Sequence, residues 1–356
     1  MSQDWNRYGP TAARAAGAKP GRMVRPQSIT VDMHSHVAVP HAAEFVKPHL
    51  DPATIPLARF ATADTKAINM RQEAERRPVM TSHDQRLADL DAMGIDRQVV
   101  MCPPPQCYYT VPVDIAVAAA GTINDGIAEY VAGKPDRFAA LGTVPMPDAA
   151  AAASELERCV TSLGFKGVQI LANVADKELS DPAFAPFWAK AEALGAVVLI
   201  HPNGFTEAQR LSRFYFNNVI GNPLETTLAL HYLIFDGVLE RHPDLKIVAV
   251  HGGGFLGAYS GRIDHAWGAR SDARANLSKP PSSYLKNIYF DTVVFTPIQL
   301  AALVETFGVD HVLMGTDYPY DMGEYDPIEL LVATGRLDPT AVAAIAGGNA
   351  KKLFGL

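Results

Sequence analysis

The sequence predicts an α/β chain folded as a parallel (β/α)8 barrel of the TIM type. Two observations predict it. Eight short β-branched or apolar runs alternate with longer segments of helical spacing. The rival, a doubly wound open sheet, would carry a glycine-rich turn after its first strand, and none follows Val31. At 356 residues the chain exceeds a typical single domain, but such barrels routinely run this long as one unit.

The first run ends in Val31-Asp32-Met33-His34-Ser35-His36. Histidines at i and i+2 of a strand face the same side. A proline-punctuated stretch without clear period, Val37 to Thr81, reads as an insertion capping that strand's tip. It contains a charged, helical piece with Arg71, Arg76 and Arg77. Most such arginines are solvated surface, yet one could reach down to an anionic substrate. His83 to Met93 has helical spacing and stops at Gly94.

The later strands are Gln98–Met101, Phe138–Thr143, Gly167–Leu171, Val197–His201, Ile247–His251, Ile288–Asp291 and Val312–Gly315. Helices are expected at Pro112–Gly133, Ala149–Leu163, Pro182–Leu194, Leu224–Arg241, Ser260–Ala275 and Pro297–Phe307.

Barrel enzymes place their chemistry at the C-terminal ends of strands. The predicted ends are His34 and His36, then His201-Pro202, His251-Gly252-Gly253-Gly254, Asp291, and Thr316-Asp317-Tyr318-Pro319. Each alone has an ordinary structural explanation, since a lone histidine is more often a hydrogen-bonded core residue and Asp317 alone reads as a turn residue. Together they converge on one mouth. His34, His36, His201 and Asp317 supply three nitrogens and a carboxylate, a set suited to one divalent ion, Zn²⁺ first and Mn²⁺ as the alternative. Such an ion lowers the pKa of a bound water towards ~7. His251 reads as a base beside the ion, with Asp317 sharing in catalysis; the alternative is a fifth ligand. The end of the fourth strand, Leu171-Ala172-Asn173, offers no bridging group for a second metal, so one ion per subunit is expected.

Composition narrows the partners. A formal net charge of −7 leaves no basic stripe for nucleic acid. No apolar run reaches the ~20 residues of a membrane span. Cys102, Cys107 and Cys159 are few and irregularly spaced, which favours structural thiols in a reducing, cytoplasmic setting. Residues 1–27 are rich in arginine and punctuated by Pro10, Pro20 and Pro26. They read as a flexible or interface-packing arm, with a transit peptide as the alternative, and residues 28–356 as the barrel.

These motifs resemble the amidohydrolase superfamily, and within it the branch around 2-amino-3-carboxymuconate-6-semialdehyde decarboxylase. The match includes Gly315-Thr316-Asp317-Tyr318-Pro319, Arg137 to Met146, Leu163 to Ile170 and Gly347-Gly348-Asn349-Ala350. The resemblance implies one divalent metal, usually Zn²⁺, on His34, His36, His201 and Asp317, with His251 as base. It implies non-oxidative carbon–carbon cleavage, hence decarboxylation of a small unsaturated or aromatic carboxylic acid. It also implies a homodimer or higher oligomer in which Arg262 reaches across the interface to a substrate carboxylate. The chain departs from the family at Asn203-Gly204, where the decarboxylase has a tryptophan and an aspartate, so Asn203 becomes a candidate substrate contact. Arg71, Arg76 and Arg77 are all candidates for the family's first substrate-binding arginine. Tyr289 to Val293 also resembles the oxalomesaconate-type hydratases, which keeps a metal-dependent hydrolase or hydratase as the rival activity.

Overall fold

The computed structural model describes residue 26, residues 28–274 and residues 277–356; apart from Pro26, the expected arm lies outside the described residues. Eight strands form the barrel: β1 (Val31–His36), β2 (Arg97–Met101), β3 in two pieces (Phe138–Ala140 and Gly142–Thr143), β4 (Gly167–Leu171), β5 (Val197–His201), β6 (Lys246–Ala249), β7 (Ile288–Asp291) and β8 (Val312–Leu313). All neighbouring pairs are parallel. The ring closes where Met33 N–H donates to Met314 O at 2.9 Å and Ser35 bridges to Tyr318.

Two apolar layers follow from the period-2 alternation. Val198, Ile200, Val168 and Ile170 face the helices, while Val197, Leu199, Val99, Met101, Val31 and Met33 fill the barrel. Burying each such side chain contributes about 1.5–3 kcal/mol. The register of β1 against β2 shifts between Asp32 and Ser35. That irregularity changes which residues face inward, from Val31 and Met33 to His34 and His36, as bulges do near active sites.

The floor of the barrel was not predicted from the sequence. The helix Asn349–Phe354 brings Ala350 and Phe354 into the interior cluster. Gly347, just before it, packs so close to β1 that a Cβ would lie 2.0 Å from Ile29 O. No side chain fits there, so glycine is required.

Other boundaries shift for local reasons. The expected helix Leu224–Arg241 is two, Asn222–Phe235 and Val238–Arg241, broken at Gly237 with φ 73°. The helix expected from Ser260 to Ala275 starts earlier and runs Leu256–Ala269, directly off the glycine turn. β6 stops at Ala249, and His251 opens a tight turn instead of ending the strand. Residues 37–81 form the helices Pro40–Val46, Pro56–Arg59 and Ala63–Thr81, the last carrying all three arginines. Among the described residues no helix is long and apolar enough to cross a membrane.

Candidate metal centre

His34, His36, His201 and Asp317 each aim one ligand atom at a common point, all four atoms lying within 4.8 Å of one another. They come from β1, β5 and the loop after β8, as the strand-end argument requires. His36 Nε2 lies 3.0 Å and His34 Nε2 3.4 Å from Asp317 Oδ1.

The outer nitrogens fix the tautomers. His36 Nδ1 lies 3.1 Å from Cys102 O, and His201 Nδ1 2.6 Å from Pro202 O. A carbonyl only accepts, so both Nδ1 atoms carry the proton and both Nε2 atoms present lone pairs. His34 Nδ1 meets Asp291 Oδ2 at 2.7 Å. His34 Nε2 and His201 Nε2 are buried without a hydrogen-bond partner among the described residues. Three imidazole lone pairs facing one carboxylate, out of water, need a cation between them. The donor set of three nitrogens and a carboxylate therefore fits a divalent metal.

At Asp317, His201 and His36 the electrostatics agree, whereas at His34 burial is outweighed by the Asp317 and Asp291 carboxylates, which raise the imidazole. Burial would raise the Asp317 carboxyl, but the His34, His251 and His36 imidazoles outweigh it and hold the group well below the carboxylate range. Burial, then the His251 and His34 rings, push His201 well below the ordinary histidine value, favouring the neutral ligand form. Burial likewise lowers His36.

Two backbone strains sit in the same place. Asp317 has φ 58° and His251 φ 55°, left-handed values uncommon outside glycine. The turn after His251 explains its glycines: at Gly254, φ 70°, a Cβ would lie 2.3 Å from Pro223 O. His251 Nε2 sits 3.6 Å from Asp317 Oδ2, and its ring centroid is 5.0 Å from that of His201. Its Nδ1 is buried with no hydrogen-bond partner among the described residues. His251 is thus beside the four convergent atoms without being one of them.

A buried polar network holds this arrangement from behind. Asp32 accepts from Thr316 Oγ1 at 2.6 Å, from Gln98 Nε2 at 2.7 Å, and from the His34 and Thr316 N–H groups. Arg86, fully buried, donates to Gln98 Oε1 at 2.7 Å and to the His36 carbonyl. Its guanidinium lies 4.8 Å from the Tyr318 ring centroid. β1 and the Asp317 loop are thereby tied together. None of Asp32, Arg86, Gln98 or Asp291 was assigned a role from sequence; only Asp291, at a strand end, carried a positional signal.

The arginine candidates separate. Arg71 and Arg77 are exposed on the helix Ala63–Thr81, whereas Arg76 is buried, 4.6 Å from the centroid of the Tyr320 ring. Tyr320 in turn packs edge-on against His36, with centroids 5.2 Å apart. Arg262 is exposed on the helix Leu256–Ala269 and is not gathered to the centre within one chain. Asn203, two residues past His201, has a buried Oδ1 with no partner among the described residues.

A closed α/β barrel with a histidine–aspartate metal site at its C-terminal mouth defines a class of metal-dependent enzymes. The amidohydrolase family model matches residues 31–356, and the chain belongs to that family. Within it the chain lies in the branch of 2-amino-3-carboxymuconate-6-semialdehyde decarboxylase. The protein of that name from Dictyostelium discoideum is 36% identical over 274 residues, covering 77% of this chain and 76% of the relative. The 5-carboxyvanillate decarboxylase LigW from Sphingomonas paucimobilis superposes with a TM-score of 0.80 at 26% identity, over 93% of this chain and all of that one (100%). A 5-carboxyvanillate decarboxylase from Novosphingobium aromaticivorans, solved with manganese and 4-hydroxy-3-methoxy-5-nitrobenzoic acid, has a TM-score of 0.81 at 24% identity. It covers 93% of this chain and 97% of its own, a likeness of fold.

Proposed function

We propose that this protein is a metal-dependent, non-oxidative decarboxylase of a small unsaturated or aromatic carboxylic acid. The observation carrying the reading is the convergence of three imidazole lone pairs and the Asp317 carboxylate beside His251, in a chain of this family. His34, His36, His201 and Asp317 would hold one divalent ion, and Zn²⁺ suits their nitrogen-rich set. The ion's chemistry there is Lewis-acid polarisation of a substrate oxygen.

The chain's own residues supply the rest. Arg76 is the guanidinium best placed to pair with a substrate carboxylate, being buried near His36 by way of Tyr320. His251 delivers a proton to the carbon that bears the carboxylate. The C–C bond then breaks, its electron pair returns to the unsaturated system, and CO₂ departs. The balance is R–COO⁻ + H⁺ → R–H + CO₂.

Arg262 would act from a second copy in a homodimer. Phe255 and Tyr259 precede it at helical spacing and are 41% and 67% exposed, an apolar face of the kind interfaces cover. Three buried free cysteines suit a reducing, cytoplasmic setting.

The test is CO₂ release from a panel of aromatic and unsaturated acids by metal-loaded enzyme. Release that stops on chelation and returns with metal is expected. Protein inert on every acid but hydrolysing lactones or amides would overturn the reading.

A further inference from the structure

Two thiols meet behind the metal centre. Cys102 follows β2, and Cys107 ends the short turn Pro104–Cys107. Both are free and buried, and their sulfurs lie 4.0 Å apart. A disulfide holds its sulfurs about 2 Å apart, so joining them draws the pair together by about 2 Å. Gln169, on β4, places Nε2 3.5 Å from Cys107 Sγ and 3.7 Å from Cys102 Sγ. It thereby offers an N–H to the thiolate of Cys107, the form that attacks an oxidant.

The turn between the two cysteines is bonded to the strand that carries two of the metal ligands. Cys102 O lies 3.1 Å from His36 Nδ1. Gln106, next to Cys107, accepts the Val39 N–H with Oε1 at 3.2 Å and donates to Val39 O from Nε2 at 3.3 Å. The same turn also meets solvent space. Pro105, Tyr108 and Tyr109 line a cavity at the barrel mouth, together with Leu171 and Asn203. Cys107 is 5% exposed and Cys102 0%, which makes Cys107 the first sulfur within reach of a small oxidant.

We propose that Cys102 and Cys107 form a reversible oxidation site whose disulfide loosens the metal centre. The oxidant is a hydroperoxide, of which hydrogen peroxide is the simplest. The Cys107 sulfur attacks one peroxide oxygen and the O–O bond breaks, giving a sulfenic acid and one water. The Cys102 sulfur then displaces the sulfenic oxygen as a second water, and the S–S bond forms. The balance is 2 R–SH + H₂O₂ → R–S–S–R + 2 H₂O, with sulfur oxidised and peroxide oxygen reduced. Closure shifts the turn, and with it the Cys102 carbonyl that fixes the His36 tautomer. Added thiols reverse the step by exchange. The inference goes beyond the proposed reaction and does not depend on it.

Zinc-loaded protein treated with hydrogen peroxide and then desalted tests it. Peptide mapping should find the fragment holding both cysteines lighter by two hydrogens, with Cys159 still free. Competition against a chromophoric chelator should show zinc affinity about tenfold weaker, the lower end of the effect of losing a group behind a ligating histidine. A phosphine reductant, followed by desalting, should restore both. Cys107→Ser should form no link and keep its affinity through the treatment. Cys107→Ala is the second variant, since it removes the sulfur without burying a hydroxyl. Wild-type protein that forms no link, a link that leaves zinc affinity unchanged, or an equal loss of affinity in the variants overturns the proposal. Neither readout uses turnover, so this site and the decarboxylase reading fail separately.

Discussion

The Asp291 carboxylate lies 2.7 Å from His34 Nδ1, and its other oxygen accepts the Gly252 N–H at 2.8 Å. One side chain thus orients an imidazole of the metal set and anchors the turn that carries His251. Burial would raise this carboxyl, but His34 outweighs it and keeps the group ionised. Asp291→Asn should weaken metal affinity by about 10–100-fold, the usual effect of losing a carboxylate behind a ligating histidine. Competition against a chromophoric chelator measures it, and an unchanged affinity would remove Asp291 from the account.

His251 is near the four convergent atoms but faces Asp317 at 3.6 Å, and its Nδ1 has no partner among the described residues. His251→Asn should therefore keep its metal and lose turnover by about 10²–10⁴-fold, the range for a positioned proton donor. Metal analysis and steady-state kinetics on one preparation separate this from the fifth-ligand alternative, in which metal and activity fall together.

Arg76 and Arg71 stand on the same helix with different surroundings, one buried and one exposed. Arg76→Met should lower kcat/KM about 10–150-fold, mostly through KM, since a charge-assisted pair contributes about 1.5–3 kcal/mol. Arg71→Met should stay within about threefold, as surface charges do. The reverse pattern would move the carboxylate contact to Arg71.

Arg86 is fully buried, with Gln98 between it and Asp32. Arg86→Met strips the buried Gln98 Oε1 and the Val79 and His36 carbonyls of their charged donor and should cost about 3–5 kcal/mol. Urea unfolding of metal-free protein reads this without interference from the ion. A loss under about 1 kcal/mol would mean that the network neither stabilises nor positions β1.

What was legible in the sequence was the periodic part. β4, β5 and β7 fall where the apolar runs end, and His34, His36, His201 and Asp317 meet because barrel topology gathers strand ends. Residues whose roles depend on what lies behind them were not legible. Arg86 shares the inward stripe of its helix with Leu90 and Met93, but an arginine at such a position ordinarily carries its charge out to water, so its residue type hid a burial that its spacing allowed. Glu225 is likewise an acidic residue near a helix start, and only the folded chain shows it walling a cavity. The floor of the barrel escaped because Gly347 and Phe354 act through close approach to Ile29 and the interior, contacts that no local pattern encodes. The choice among Arg71, Arg76 and Arg77 awaited the fold for the same reason.

Metal content per chain, read by mass spectrometry on the wild type and on Asp317→Ala, tests the central claim most directly. One divalent ion is expected in the wild type and close to none in the variant. Two ions per chain, or a variant that keeps its full complement, would contradict it.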